Sequence, residues 1–164
     1  MKIRKAVSVV AALALSSALA APAFAVTVSR VDGQPMNPNG EPFSATGITA
    51  LSKGTISANC TAIFNGTITP VGSLVITSAQ FTGGGTCGLI TASGLPWTGQ
   101  ADTATQLSIN NVKVSVTLLG TCGPSKVVAA WSDPNSTLTF NNAPLSPDCK
   151  VSGTLATSPK FHVQ

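Results

Sequence analysis

Apolar and polar residues take turns along most of this chain. In residues 54–68, GTISANCTAIFNGTI, the even positions Ile56, Ala58, Cys60, Ala62, Phe64 and Ile68 are apolar, with Gly66 among them. The odd positions Thr55, Ser57, Asn59, Thr61, Asn65 and Thr67 are polar, and only Ile63 departs from the rule. A period of two sends successive side chains to opposite faces of a pleated backbone. The segment therefore predicts a half-buried strand, or two strands joined by a bend at Gly66. The same rhythm puts Val112, Val114, Val116, Leu118 and Cys122 on one face, opposite Lys113, Ser115, Thr117 and Thr121. It is weaker where Val127, Ala129 and Trp131 alternate with Lys126, Val128 and Ala130, and it returns with Phe161 and Val163 against Lys160, His162 and Gln164. Turn-forming groups separate the runs: Pro70-Val71-Gly72, Gly83-Gly84-Gly85, Asn110-Asn111, Asp133-Pro134-Asn135, Asn141-Asn142 and Pro147-Asp148. Many short strands at this spacing predict an all-β domain. An antiparallel β-sandwich is expected, with a small β-barrel as the alternative.

Residues 32–42, DGQPMNPNGEP, hold three prolines and two glycines and read as a linker. They separate VTVSRV, residues 26–31, from a single body over 43–164. In that short piece Val26, Val28 and Arg30 alternate with Thr27, Ser29 and Val31, so it reads as a detachable strand. Ahead of it come a basic start (Lys2, Arg4, Lys5), an apolar run from Ala6 to Ala20 and the closing Ala23-Phe24-Ala25. This is the three-part build of a secretory signal peptide, residues 1–25. The apolar run falls short of the roughly 20 residues that span a bilayer, so export is expected and stable transmembrane insertion is not.

The leader changes the charge picture. Three of the nine basic residues belong to it, leaving six against five acids and a net charge of +1. No basic surface remains to attract nucleic acid. Weak mutual repulsion leaves an exterior that does not strongly resist self-contact or adsorption.

Four cysteines in an exported chain predict two disulfides. Cys60 to Cys87 and Cys122 to Cys149 are each 27 residues apart, and matching members are 62 apart. Beyond the cysteines only Thr55/Thr117 and Thr77/Thr139 match at that offset, an echo of duplication. Among the three connectivities, the echo favours Cys60–Cys87 with Cys122–Cys149. Zinc is disfavoured because the chain has one histidine and no C-x-x-C.

Candidate chemistry is sparse. The run Gly83-Gly84-Gly85 lacks the GK[ST] ending of a phosphate loop and reads as a hairpin turn into a Cys87 strand. His162 is the only histidine and falls on the polar side of its strand, where solvent is the expected partner. Asp32, Asp133 and Asp148 lie in linker or turns and Glu41 is the only glutamate, so no acid–base carboxylate pair is supported. No calcium loop is present. No catalytic, cofactor-binding or metal-binding residue is expected, and no enzyme. Trp131 reads as core. Leu95, Pro96 and Trp97 are the candidate surface contact: Trp97 is expected either to plug the rim of the domain or to offer an aromatic platform to sugar or hydrocarbon.

The strings PFSATGITALSKG, CTAIFNGTITPVG, ITASGLPW, SVTLLGTCGPS and LTFNNAPLSPDCKVSGTLATSP span about residues 42–160. Together they resemble the protein activator of alkane oxidation (Pra) family, small exported proteins of pseudomonads and their relatives, with the four cysteines in register. The resemblance implies a secreted protein that promotes growth on long-chain alkanes as a surface-active or emulsifying agent, associated with the cell surface and biofilm. It carries over no catalytic residues. The expected partners are hydrocarbon or the cell surface, and further copies of the chain. Two other readings stand beside this one: a biofilm-matrix subunit forming fibres by addition of the VTVSRV strand to a neighbour, and a carbohydrate-binding module using Trp97.

Overall fold

The computed structural model describes residues 26–117 and 120–164, so the expected signal peptide (1–25) and Leu118 lie outside the described residues. The alternating segments form strands: β1 (Val28–Arg30), β2 (Glu41–Lys53), β3 (Ile56–Ile68), β4 (Ser73–Thr82), β5 (Ile90–Ser93), β6 (Trp97–Thr103), β7 (Gln106–Val116), β8 (Gly120–Ser132), β9 (Thr137–Leu145), β10 (Cys149–Ser158) and β11 (Phe161–Val163). Each large strand pairs antiparallel with its neighbour in sequence, and β10 returns to β2. The pairing of β7 with β8 completes the ring. β5 and β6 lie one after the other along the same edge of β7, a single strand interrupted at Gly94-Leu95-Pro96. The architecture is an eight-stranded up-and-down barrel, the alternative to the expected sandwich.

The sandwich expectation fails because the sheet is bent until its ends meet. Gly47, Gly66 and Gly99 stand on inward positions where a Cβ would fall 2.0, 2.0 and 2.5 Å from a carbonyl oxygen of the adjoining strand. Only glycine permits that approach, and it lets strands coil at the barrel's corners. Gly66 does not divide its segment in two. β3 runs straight through it, and β4 absorbs the mismatch with a bulge, Asn65 facing Ser78 and Gly66 facing Ile76. The pairs Asn110-Asn111 and Asn141-Asn142, read as turns, are extra residues inside β7 and β9, with φ of 59° at Asn111 and 49° at Asn142. Each bulge switches the inward set: from Leu107 and Ile109 to Val112, Val114 and Val116, and from Leu138 and Phe140 to Ala143 and Leu145. Bulges of this kind bend and twist a strand, which closure requires.

The ring is not laddered along its whole height. β4 bonds to β6 only through Ser73–Ile76, and β8 bonds to β9 only through Ala130–Ser132. Above those points the wall has two seams, between β4 and β5 and between β8 and β9. Each disulfide crosses one seam. Cys60 on β3 joins Cys87, in a 3-10 turn (Cys87–Leu89) leading into β5. Cys122 on β8 joins Cys149 at the start of β10. Both favoured connectivities are present, with Cα–Cα distances of 5.5 and 5.8 Å. β3 and β8 stand opposite each other in the ring of eight, so the 62-residue echo appears in space as two stapled halves. The turn Gly83–Gly85 precedes the 3-10 turn rather than a Cys87 strand, because β4 and β5 share no ladder.

The other end of the barrel is plugged. β1 and β11 form a two-stranded ribbon whose Val28, Phe161 and Val163 are buried. Phe161 meets Phe43 edge-on at 6.4 Å. The β8–β9 turn grips the ribbon: the Phe161 N–H donates to Ser136 Oγ at 2.6 Å, the Val163 N–H to Asp133 Oδ1 at 2.8 Å. VTVSRV is thus docked on its own chain.

Candidate apolar binding site

Inward side chains nearly fill the barrel and leave two small cavities stacked along its axis. The lower, about 20 Å³, lies above the ribbon and is lined by Phe43, Ile68, Trp131, Leu138, Phe161 and neighbours. The upper, about 40 Å³, is lined by Thr49, Leu51, Phe64, Phe81, Trp97, Ile109, Val112, Val114, Val127, Phe140, Leu145 and Val151. Phe64 and Ile109 belong to both walls and separate them.

An aromatic string leads from the interior to the β4 wall. Trp97 meets Phe64 edge-on at 6.0 Å, and Phe64 meets Phe81 likewise at 6.1 Å. Such T-shaped pairs set the positive ring edge against the negative ring face. Trp97 is 1% exposed and donates its indole N–H to Ser93 O at 3.0 Å. It therefore offers no exposed platform, because the strand resumes at Trp97 with its side chain on the inward face. Leu95 is half-buried and Pro96 exposed, in the break between β5 and β6. Of the three candidate contacts, only Trp97 reaches a cavity. Trp131 is buried as expected and lines the lower one.

Polar groups near the interior are spoken for. Thr49 Oγ1 donates to Cys60 O, and no buried side-chain nitrogen or oxygen among the described residues lacks a partner. His162 is not simply solvated: its Nδ1 lies 3.1 Å from Asp133 Oδ2. Asp133 also accepts from the Trp131 indole at 2.6 Å. Burial pushes the Asp133 pKa up, but bonds from Trp131, the Val163 N–H and His162 outweigh it and hold it below the usual 3.8. These groups fasten the plug.

At the stapled end a third, shallow depression is lined by Leu51, Lys53, Ile56, Ala58, Thr86, Ile90, Val116 and Cys122. Ile56 is 44% exposed and Leu89 36%. Lys53 pairs with Asp148 at 3.6 Å beside it. Sequence reasoning missed Phe81, Ile56 and Leu89 as candidates. The alternation that assigned Ile56 to the buried face carries no signal for where a barrel ends.

Comparison with known proteins now adds a name to the architecture. The profile of the alkane oxidation protein activator PraA/PraB-like family matches residues 1–164. The chain belongs to this family. Comparison with curated proteins finds no match, and comparison with solved structures finds none either. Among the described residues no helix is long and apolar enough to cross a membrane. Membership ties the chain to the activation of alkane oxidation.

Proposed function

We propose that this protein promotes alkane oxidation by physical contact with hydrocarbon outside the cell. In this reading it is a secreted, non-enzymatic, interface-active barrel. The observation that carries the reading is the stapled end, where exposed Ile56 lines a shallow, mostly apolar depression and exposed Leu89 precedes Ile90 of its wall. Burying their exposed parts at oil contributes on the order of 2 kcal/mol, enough for weak, reversible adsorption with that end facing the hydrocarbon. A low charge places little hydration or repulsion in the way. Two disulfides across the seams resist spreading of the barrel at the interface.

Pendant-drop tensiometry with hexadecane tests this. The oxidised protein is expected to lower interfacial tension and coat droplets, and the Ile56→Lys/Leu89→Lys variant to do so poorly with its fold intact. Tension indistinguishable from that of an inert globular control would refute it.

A second reading, a biofilm fibre subunit built by strand addition, draws support from the unladdered edges of β4 and β8. An added strand needs such an edge. Exchange of β1 would first have to break its pairing with β11. Electron microscopy of concentrated protein, with and without residues 26–31, separates the readings.

A further inference from the structure

The upper cavity and the seam beside it have no role in adsorption through the barrel's end. We propose that this cavity takes the terminal segment of one unbranched hydrocarbon chain, admitted between β4 and β5. The inference rests on the reading that hydrocarbon is the partner, yet it needs no adsorbed film.

Three observations carry it. The first is chemical. The cavity wall is aliphatic and aromatic, and its single hydroxyl, on Thr49, is engaged with Cys60 O. A carboxylate or phosphate head would be stranded there without a partner at a cost of several kcal/mol. Lys53 lines the depression at the end, not this cavity, and is paired with Asp148. The wall suits a ligand with no polar group.

The second is size. About 40 Å³ admits a few methylene groups, not a long alkane. An end is gripped while the rest of the chain stays outside, so recognition depends on an unbranched terminus rather than on length.

The third is access. Beyond Ile76, β4 has no ladder to β5, so widening this wall breaks no strand-to-strand hydrogen bond. The inward positions beside the gap carry small residues, Ala79 on β4 and Ala92 on β5. Phe81 is only partly buried and also lines the cavity, so rotation of its ring connects the gap to the space within. The Cys60–Cys87 bond bounds how far the gap can open.

The test is solution NMR of the full oxidised protein titrated with n-octane. Saturation at one octane per chain is expected, with intermolecular contacts from the octane methyl to ring protons of Trp97 and Phe81. Cyclooctane and octanoate should bind at least tenfold more weakly. Ala92→Phe, which fills the gap, should weaken octane binding at least tenfold. If that variant fails to fold, Ala79→Leu serves, and the ring contacts decide the matter in the unaltered protein. Unsaturable uptake, equal binding of cyclooctane, or contacts confined to the outer surface would overturn the proposal. Loss of droplet coating in Ile56→Lys/Leu89→Lys with octane saturation kept would support separate interior and end sites. Droplet coating without octane saturation would sink the interior site alone.

Discussion

Opening the Cys60–Cys87 bond by a Cys60→Ala/Cys87→Ala double substitution should do two separable things. The first is global. Closing a loop of 27 residues restricts the unfolded chain, and the chain-entropy relation gives about 3.5 kcal/mol. Spread over the roughly 2.1 cal/mol/K per residue typical of unfolding, that lowers the midpoint of thermal unfolding by about 12 °C for the 139 residues from 26 to 164. The Cys122–Cys149 bond closes a loop of the same length, so this part should be equal for the two. The second effect is local and differs between them. Cys87 anchors the 3-10 turn before β5, whose only ladder is to β7, while the facing stretch of β4 has none. Without the bond, β5 is held on one side only. Hydrogen exchange under native conditions should show Thr91 and Ser93 accelerated beyond the amides of β8 and β9, which change only by the global loss. The Cys122–Cys149 variant should show the converse. If neither variant shows extra exchange at its own seam beyond the shared global loss, the idea that the staples replace missing ladder is wrong.

Other outcomes follow from the same geometry. Trp97→Ala should cost about 3–5 kcal/mol in chemical denaturation, as expected for a large buried aromatic; a cost under 1 kcal/mol would place Trp97 outside the core. Gly66→Ala should prevent barrel closure, because its Cβ would fall 2.0 Å from Val75 O, and soluble expression with native circular dichroism would contradict this. Acid should loosen the plug before the barrel. The Asp133 pKa is depressed in the folded state, so its contribution is complete above about pH 4 and is lost as pH falls through the lower folded value. Glu41 is depressed too, by the Asn37 N–H first and then by Arg30, opposing the effect of burial. Protection from exchange at Val28 and Val163 should therefore fall as the pH drops below about 4, while β3 stays protected; uniform protection under acid would rule the mechanism out.

Much of the fold was legible because alternation is a local property. The even positions of residues 56–68 and the pairs at 27-residue spacing each stated their geometry directly. Closure was not legible, since it depends on single inward glycines and on asparagines that add one residue to a strand. In a string of letters Asn110-Asn111 looks the same whether the chain reverses or merely bulges. Trp97 shows the parallel limit for function. Its place behind Pro96 marked it as special, but the side it faces is set by the break at Gly94–Pro96 and not by the period of the neighbouring strand. Phe81 was silent for a related reason. A bulge near Thr77 turns it inward, and its role beside a gap arises only from the absence of a ladder on β4.

The exchange of hydrogen bonds between Thr27 and Gln164 brings both ends of the described residues to the plugged pole. A surface tether or reporter fused after Gln164 would thus leave the opposite pole, with Ile56 and Leu89, pointing away from its support. Molecules immobilised this way would stand in one orientation, offering the pole that carries the two disulfides to whatever flows past.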